Sequence, residues 1–250
     1  METLLITQAR FGSSRFPGKV MEKINGDELL KIHIKRVEKS KLISSFVVAT
    51  TLEDQDDVIF NSVKSWGYNS YRGSEEDVLD RFYQTAKKHL PKWVIRVTSD
   101  CPLIDPKLID EVIKHAIEND VDYCSNILVE NYPDGQDIEV FKFSALEKAW
   151  KESTKKSDRE HVTLYIRDNC DFNQGNIFKS SNYPCKANFS KVRMTVDEKA
   201  DYKVIKILID ALGKEKTWEE YTSYILENDL SQINGEIIRN EGLLKSLKKD

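Results

Sequence analysis

Arg10, Arg15 and Lys19 stand in one short stretch, Gln8-Ala9-Arg10-Phe11-Gly12-Ser13-Ser14-Arg15-Phe16-Pro17-Gly18-Lys19. That mixture suits a phosphate chain. Glycine lets backbone N–H groups approach an anion closely. The hydroxyls of Ser13 and Ser14 can donate to phosphate oxygens, and the three cations can neutralise a triphosphate. The stretch is not a Walker loop. That pattern needs four residues between its first Gly and the Gly-Lys pair, then Ser or Thr. Here residues 13 to 17 intervene, and Val20 follows Lys19. A surface loop with scattered charges is the plainer alternative, but so dense a cluster in one loop favours function.

A second chemical candidate is Asp100, in Ser99-Asp100-Cys101-Pro102-Leu103-Ile104-Asp105-Pro106. A carboxylate at a strand's end, held by Pro102, suits Mg²⁺, which takes one or two carboxylates plus substrate phosphates. Turn capping is the alternative for Asp100, and helix capping is the better reading of Asp105. Asp197, in Met194-Thr195-Val196-Asp197, likewise ends a β-rich run before a helix. It is a second metal candidate or a simple N-cap; Asp201 reads as a helix cap. Arg72-Gly73-Ser74-Glu75-Glu76-Asp77 opens a helix, with Ser74 as N-cap and Asp77 three residues on. Arg81, farther along, reads as a surface charge or an ion-pair partner. Among the histidines, His33, His89 and His115 fall in helical patterns and read as structural or exposed.

Short β-rich runs alternating with helical patterns must position these groups. The expected strands are Thr3–Thr7, Phe46–Thr50, Tyr68–Arg72 and Trp93–Thr98. The helices are Asp27–Ser40, Gln55–Trp66, Glu75–His89 and Pro106–Asn119. Four such β-loop-α units imply an α/β fold with three layers and a mostly parallel, doubly wound sheet. Ligands then sit beyond the carboxyl ends of the strands, where the polar loops fall. From about Val121 the rhythm changes. Strands are expected at Val121–Ile127 and Ile138–Phe143, around the turn Tyr132-Pro133-Asp134-Gly135. Helices follow at Ser144–Glu152 and Ser157–Asn169, then strands at Asn176–Lys179 and Val192–Val196. Helices at Glu198–Leu212, Thr217–Glu227 and Gly235–Lys249 close the chain. We expect one domain over residues 1–250, with a β-rich excursion at about 121–195 on the acceptor side.

The stretch from Gln8 to Lys19 closely resembles that of the CMP-sugar-acid synthetases, the acylneuraminate- and Kdo-type cytidylyltransferases. It is most similar to the branch called spore coat polysaccharide biosynthesis protein F. The resemblance runs through nearly the whole chain. Asp100-Cys101-Pro102-Leu103 resembles the family's Gly-Asp-x-Pro-Leu motif, with Ser99 in the glycine's place, and Thr195-Val196-Asp197 resembles its Thr-Val-Asp segment. It implies the nucleotide-diphospho-sugar transferase (GT-A-like) fold. It implies that Gln8, Ala9, Arg10, Gly12, Ser13, Arg15 and Lys19 wrap the CTP phosphates, with Arg72, Ser74 and Asp77 against the cytidine. Asp100 and Asp197 would hold Mg²⁺, with Mn²⁺ as the alternative ion. Pro133-Asp134-Gly135-Gln136-Asp137-Ile138-Glu139 and Arg159-Glu160-His161-Val162-Thr163 resemble its acceptor segments. Asp134, Gly135, Asp137, Glu139, Arg159 and His161 are thereby implied in acceptor binding. Arg159 would clamp an acidic substrate. His161 would assist binding or proton transfer, or else is an N-terminal helix residue bonded to a carboxylate. A homodimer, in contact through the segment after Val121, is implied as well.

The expected reaction is attack of an acceptor oxygen on the α-phosphorus of CTP, with departure of pyrophosphate. It needs positioning and charge neutralisation more than a covalent nucleophile. Arg15, Lys19 and Asp100 are the expected catalytic residues, and the acceptor is a small anionic sugar of cell-surface glycan synthesis. A nucleotidyltransferase using a phosphorylated or phosphonate acceptor is the alternative enzyme. A nucleotide-binding protein with degraded chemistry is the alternative outside catalysis, and the intact Arg10, Lys19, Asp100 and Asp197 argue against it. A glycosyltransferase would carry Asp-x-Asp where Asp100-Cys101-Pro102 stands.

Bulk properties agree. Hydrophobic residues make up 40% and charged residues 32%, too apolar a balance for disorder. A net charge of −4 without a basic stripe speaks against nucleic acid. No apolar run is long enough to span a bilayer, and Glu2 and the brief Leu4–Ile6 run do not make a signal peptide. The expected location is the cytoplasm. There Cys101, Cys124, Cys170 and Cys185, none in a C-x-x-C pair, are expected as free thiols.

Overall fold

The computed structural model describes residues 2–248. The chain opens on β1 (Thr3–Gln8), whose apolar run is buried on both faces. Then come the short strands β2 (Lys23–Ile24) and β3 (Asp27–Glu28), and helix α1 (Leu29–Val37). The alternation continues through β4 (Ser45–Thr51), α2 (Asp57–Ser65), β5 (Asn69–Gly73), α3 (Val78–Lys87), β6 (Trp93–Thr98) and α4 (Pro106–Glu118). The second half holds β7 (Tyr123–Ser125), β8 (Glu139–Lys142), α5 (Phe143–Glu152), α6 (Lys156–Glu160), α7 (Leu164–Asp168) and β9 (Ser180–Asn182). It ends with α8 (Lys199–Leu212), α9 (Trp218–Glu227), α10 (Ser231–Asn234) and α11 (Glu241–Ser246).

Among the described residues the main sheet has seven strands in the order β5-β4-β1-β6-β8-β7-β9. β8 is antiparallel to both of its neighbours, and the other strands share one direction. After β1 the chain builds outward to β4 and β5, then returns to lay β6 on the opposite side of β1. That reversal is the topological switch point, where the carboxyl ends of adjacent strands diverge into a crevice. In register, Gln8 sits beside Thr98. The loop after β1 and the loop after β6 therefore flank one crevice.

Alternation along β1 sends neighbouring side chains to opposite faces. Leu4 and Ile6 pack with Leu79 and Phe82 of α3 and with Leu146 of α5. Leu5 packs on the other face with Leu108 and Val112 of α4. Val48 joins α1 and α2 through Ile34, Ile59 and Val63. A further cluster joins Val204 and Leu208 of α8, Tyr221 of α9 and Leu29 of α1, and encloses Met194 and Val196. Each fully buried Leu or Val stabilises the fold by about 1.5–3 kcal/mol, so the sheet under the crevice is a firm platform.

Several boundaries differ from expectation. Asp27–Glu28 is not the start of α1. It pairs with Lys23–Ile24 through Asn25 and Gly26, both at positive φ, as an Asn-Gly hairpin turn requires. α3 begins at Val78, because Asp77 and not Ser74 caps it by accepting from the Asp80 amide at 2.8 Å. The helix expected over Ser157–Asn169 is split into α6 and α7 where Val162 turns to φ 49°. The strand expected at Asn176–Lys179 lies at Ser180–Asn182. Val192–Val196 joins no sheet strand. Its backbone instead binds two loops, Met194 N–H donating to Asp134 O and Val196 N–H to Asp100 O, both at 2.8 Å. The strands expected at Val121–Ile127 and Ile138–Phe143 shorten to β7 and β8. The last helix is not continuous from Gly235: Asn240 at φ 58° precedes the short α11. Lys249 lies outside the described residues.

Candidate functional site

The crevice at the switch point contains the N-terminal loop. Gly18, at φ 73°, turns the chain into Lys19, and the Gly18 and Ser13 amides both donate to Phe11 O at 2.8 Å. Phe11 N–H donates to Asp56 Oδ1 at 2.6 Å. The amides of Gly12, Ser14 and Arg15 take part in none of these bonds. Every cation of the loop meets carboxylates. Arg10 faces Glu75 at 3.3 Å. Arg15 lies 3.1 Å from Asp197 and 3.4 Å from both Glu198 and Glu241.

Lys19 is buried, and its ammonium bridges Asp197 at 2.8 Å and Asp100 at 3.1 Å. Burial disfavours that charge, but Asp100 and Asp197 outweigh it and raise the Lys19 pKa. Asp197 shows the reciprocal effect. Burial works against its charge, yet Lys19, Arg15 and Arg193 hold its carboxyl at about 2. Asp100 Oδ1 receives a long contact from the Cys101 thiol at 3.6 Å. Cys101 itself is buried, which pushes its pKa well up and keeps it an inert thiol.

Arg193 organises the floor. It is 5% exposed and reaches Asp134, Asp197 at 2.8 Å and Asp201 at 2.8 Å. Burial opposes its charge, and the three carboxylates more than offset that, so its pKa rises. Asp201 also takes the amides of Asp197 and Glu198, at 2.9 and 3.0 Å, as half of a capping box for α8. Asp197 is therefore not the N-cap; Glu198 is. Asp105 does cap α4, accepting from Lys107 and Leu108.

Beside this cluster opens a cavity of about 270 Å³. It brings together Gln8, Arg15, Asp100, Asp134, Asp137, Glu139, His161 and Asp197 from the expected set. Glu139 pairs with Arg96 and accepts from Tyr123 Oη at 2.7 Å. Burial alone would raise its pKa, but Arg96, Thr163 and Tyr123 lower it. Asp137 is the opposite case: burial, with Asp134, Glu139 and Glu130 nearby, lifts it to about 7 despite Arg239. Burial raises Asp134 as well. His161 caps the end of α6, not its start. Its Nε2 lies 2.9 Å from Ser246 Oγ and 4.0 Å from Glu160.

Other expected residues stand apart from the cavity. Arg72 points toward α2, where it donates to Thr51 O and Glu53 O, pairs with Asp57 and stacks on Phe60. It is committed to the scaffold and not turned to the crevice. Ser74 Oγ accepts from the Asp77 amide at 3.0 Å, and Asp77 lies 3.7 Å from Arg159. With Glu75 on Arg10, this places the segment 74–77 on the other flank of the loop. Gly12 lies against Gln55 and Glu75 on that flank. Ala9 is buried, its amide on Ala49 O. Gly135 serves packing: a Cβ there would lie 2.7 Å from Met194 C and Thr195 N. Arg81 is buried, not a surface charge. It donates to Ser74 O, and its burial together with Arg10 lowers its pKa to about 10.

Sequence reasoning missed Arg96, Arg193, Thr195, Arg239 and Glu241. Two carried a signal: Arg96 interrupts Trp93-Val94-Ile95 and Val97, and Arg193 stands between Val192 and Met194. A charge inside an apolar run must find a partner when buried. Arg239 and Glu241 carried none, being ordinary charges in a polar tail.

Asp100 and Asp197 are the carboxylates that a divalent cation could use, and in this structure both face the Lys19 ammonium. Among the described residues no group of three or more His, Cys, Asp or Glu gathers for a metal. Two carboxylates converge, and Mg²⁺ accepts one or two when phosphates complete its shell.

Residues 4–234 match the family described as cytidylyltransferase. An uncharacterized protein of Methanocaldococcus jannaschii is 40% identical over 209 residues, 82% of each chain. The spore coat polysaccharide biosynthesis protein SpsF of Bacillus subtilis is 32% identical over 227 residues, covering 85% of this chain and 88% of that one. A cytidylyltransferase structure from Leptospira borgpetersenii superposes with a TM-score of 0.88 at 31% identity, over 96% of this chain and all of that one. No helix among the described residues is long and apolar enough to cross a membrane.

Proposed function

Since the chain belongs to the cytidylyltransferase family, we propose that it transfers CMP from CTP to a small sugar acid and releases pyrophosphate, in Mg²⁺-dependent synthesis of a cell-surface glycan. The observation that carries this reading is the Lys19 ammonium held between Asp100 and Asp197 at the edge of the cavity. A triphosphate laid along the loop meets Arg10, Arg15 and Lys19 in turn. Asp100 and Asp197 would hold Mg²⁺. When bound, the ion neutralises phosphate charge and makes an acceptor hydroxyl more acidic. Arg15 and Lys19 offset the charge that develops on departing pyrophosphate. Segment 74–77, on the loop's other flank, takes the nucleoside. The cavity takes the acceptor, with His161 on its wall as a group able to hold a proton.

The acceptor reading rests on the cavity's charges. Glu130, Asp134, Asp137 and Glu139 line it together with Arg15, Arg96 and Arg167; Arg96 is already paired with Glu139, and Asp134 and Asp137 with Arg193 and Arg239. A phosphorylated acceptor would add a dianion beside these carboxylates. A sugar acid brings a single negative charge and many hydroxyls, which carboxylates bind well. SpsF, named for polysaccharide biosynthesis, supports the glycan context.

The test is a pyrophosphate-release screen of each nucleoside triphosphate with Mg²⁺ against sugar acids and sugar phosphates. CTP with a sugar acid is the expected productive pair. Activity confined to ATP or UTP would refute the cytidine assignment, and release with phosphorylated acceptors alone would refute the sugar-acid assignment.

A further inference from the structure

The cavity wall carries charges of both signs, and most of them are matched within the protein. Asp100 and Asp197 share Lys19. Asp134 meets Arg193, Asp137 meets Arg239 and Glu139 meets Arg96. Arg15 lies among Asp197, Glu198 and Glu241. Arg167 is different. It lines the cavity, and among the described residues its ion pair is with Asp168, at a long 3.9 Å. That carboxylate is the next residue of the same short helix and is 49% exposed, so it holds the guanidinium weakly.

The backbone that carries Arg167 is fixed. Its amide donates to Thr163 O at 2.8 Å. Its carbonyl accepts from Asn173 Nδ2 at 2.8 Å and from the Cys170 thiol at 3.0 Å. The neighbouring carboxylate, Glu139, is already spent on Arg96 and on the Tyr123 hydroxyl at 2.7 Å. Arg167 acts on the same group, its charge opposing the rise that burial and Glu139 impose on the Tyr123 phenol. This end of the cavity therefore holds two guanidiniums and one carboxylate, a single net positive charge. Arg159 does not share it: that side chain lies 3.7 Å from Asp77, on the flank of segment 74–77.

We propose that Arg167 receives the acceptor's acid group, its planar fork holding a carboxylate through two N–H donors, and so sets the preference for an acid over its uncharged form. This rests on the sugar-acid reading of the proposed function and names the residue which that reading lacked. One net positive charge matches a carboxylate and leaves a phosphate dianion half neutralised.

The experiment uses the full chain with CTP and Mg²⁺. Each sugar acid of the pyrophosphate screen, Kdo and N-acetylneuraminate among them, is compared with its methyl ester, which keeps the hydroxyls and removes the charge. The wild-type protein should favour the acid about 10- to 100-fold in kcat/KM, the range of a charge-assisted pair. Arg167→Gln should bring that ratio close to one by loss on the acid alone, with the KM for CTP held within about threefold. Arg167→Lys, which keeps the charge but not the fork, should fall between. Two substrates compared in one preparation cancel any unfolded fraction. An acid preference retained in Arg167→Gln, or equal losses on acid and ester, overturns the assignment and leaves the proposed function standing. A preference that collapses in Arg159→Gln instead overturns it as well. A wild-type protein that releases pyrophosphate with no sugar acid sinks the proposed function, and this assignment with it.

Discussion

Replacing Lys19 by Met keeps most of the side-chain stem and removes the charge between Asp100 and Asp197. The structure sets the size of the effect. The Asp197 carboxyl sits at about 2 against an ordinary 3.8, a depression worth about 2 kcal/mol. Because its folded pKa is lowered, that stability is present above pH 3.8 and is lost as the pH falls through about 2. Lys19 is foremost among the cations that oppose burial here, so Lys19→Met forfeits most of this contribution at pH 7. The expected fall in melting temperature is about 4–8 °C for a chain of this size. A domain normally holds about 5–15 kcal/mol in reserve, so the variant stays folded. Its activity does not survive equally well. Loss of one charged donor from a transition state costs about 10²- to 10³-fold in turnover. The assay is pyrophosphate release from CTP, with urea unfolding of the same preparation as the fold control. A folded Lys19→Met protein that releases pyrophosphate within about threefold of wild type would refute the assignment. Unchanged urea stability would refute the electrostatic account of Asp197.

Arg10→Ala removes a side chain that is 49% exposed and paired with Glu75, so stability should move by less than about 1 kcal/mol. CTP affinity should nevertheless fall about tenfold in titration, since a phosphate contact is charge-assisted; unchanged affinity would remove Arg10 from the site. Gly135→Ala places a Cβ 2.7 Å from the Met194–Thr195 backbone at a φ of 105°. The combined clash and strain should cost more than about 3 kcal/mol in urea unfolding, and a near-wild-type midpoint would contradict the packing described. Asp137, lifted by burial to about 7, holds more protons folded than unfolded between pH 3.8 and 7. Stability therefore falls as the pH rises through that window. Asp137→Asn should flatten the decline between about pH 4 and pH 7, and identical slopes for the two proteins would exclude Asp137 as its source.

Periodicity was sufficient to place β1, β4 and β6 and the helices among the first strands, because each carries a burial pattern that is written locally; the short β5 followed from the alternation. The clustering of cations and glycines in the loop from Gln8 to Lys19 was likewise readable, since it is a property of contiguous residues. Local reading failed where a distant contact decides the backbone. Val192–Val196 has the composition of a strand, yet its hydrogen-bonding groups are taken by the loops at Asp134 and Asp100. Arg72 has the composition of a nucleotide ligand, yet the carbonyls of Thr51 and Glu53 claim it. Lys19, Asp100 and Asp197 each looked chemical in isolation. Only the pairing of β1 beside β6 at the switch point and the return of the chain after residue 192 put one ammonium within 3.1 Å of both carboxylates. The sequence by itself determined the alternating α/β frame and the cation-rich loop, because both are local patterns of residue type. Tertiary structure alone decided which carboxylate each cation meets, where Arg193 anchors the floor and how the C-terminal segment reaches Arg15. The decisive pairings join distant residues, Lys19 and Asp100 across 81 positions and Lys19 and Asp197 across 178, and no local rule of spacing encodes them.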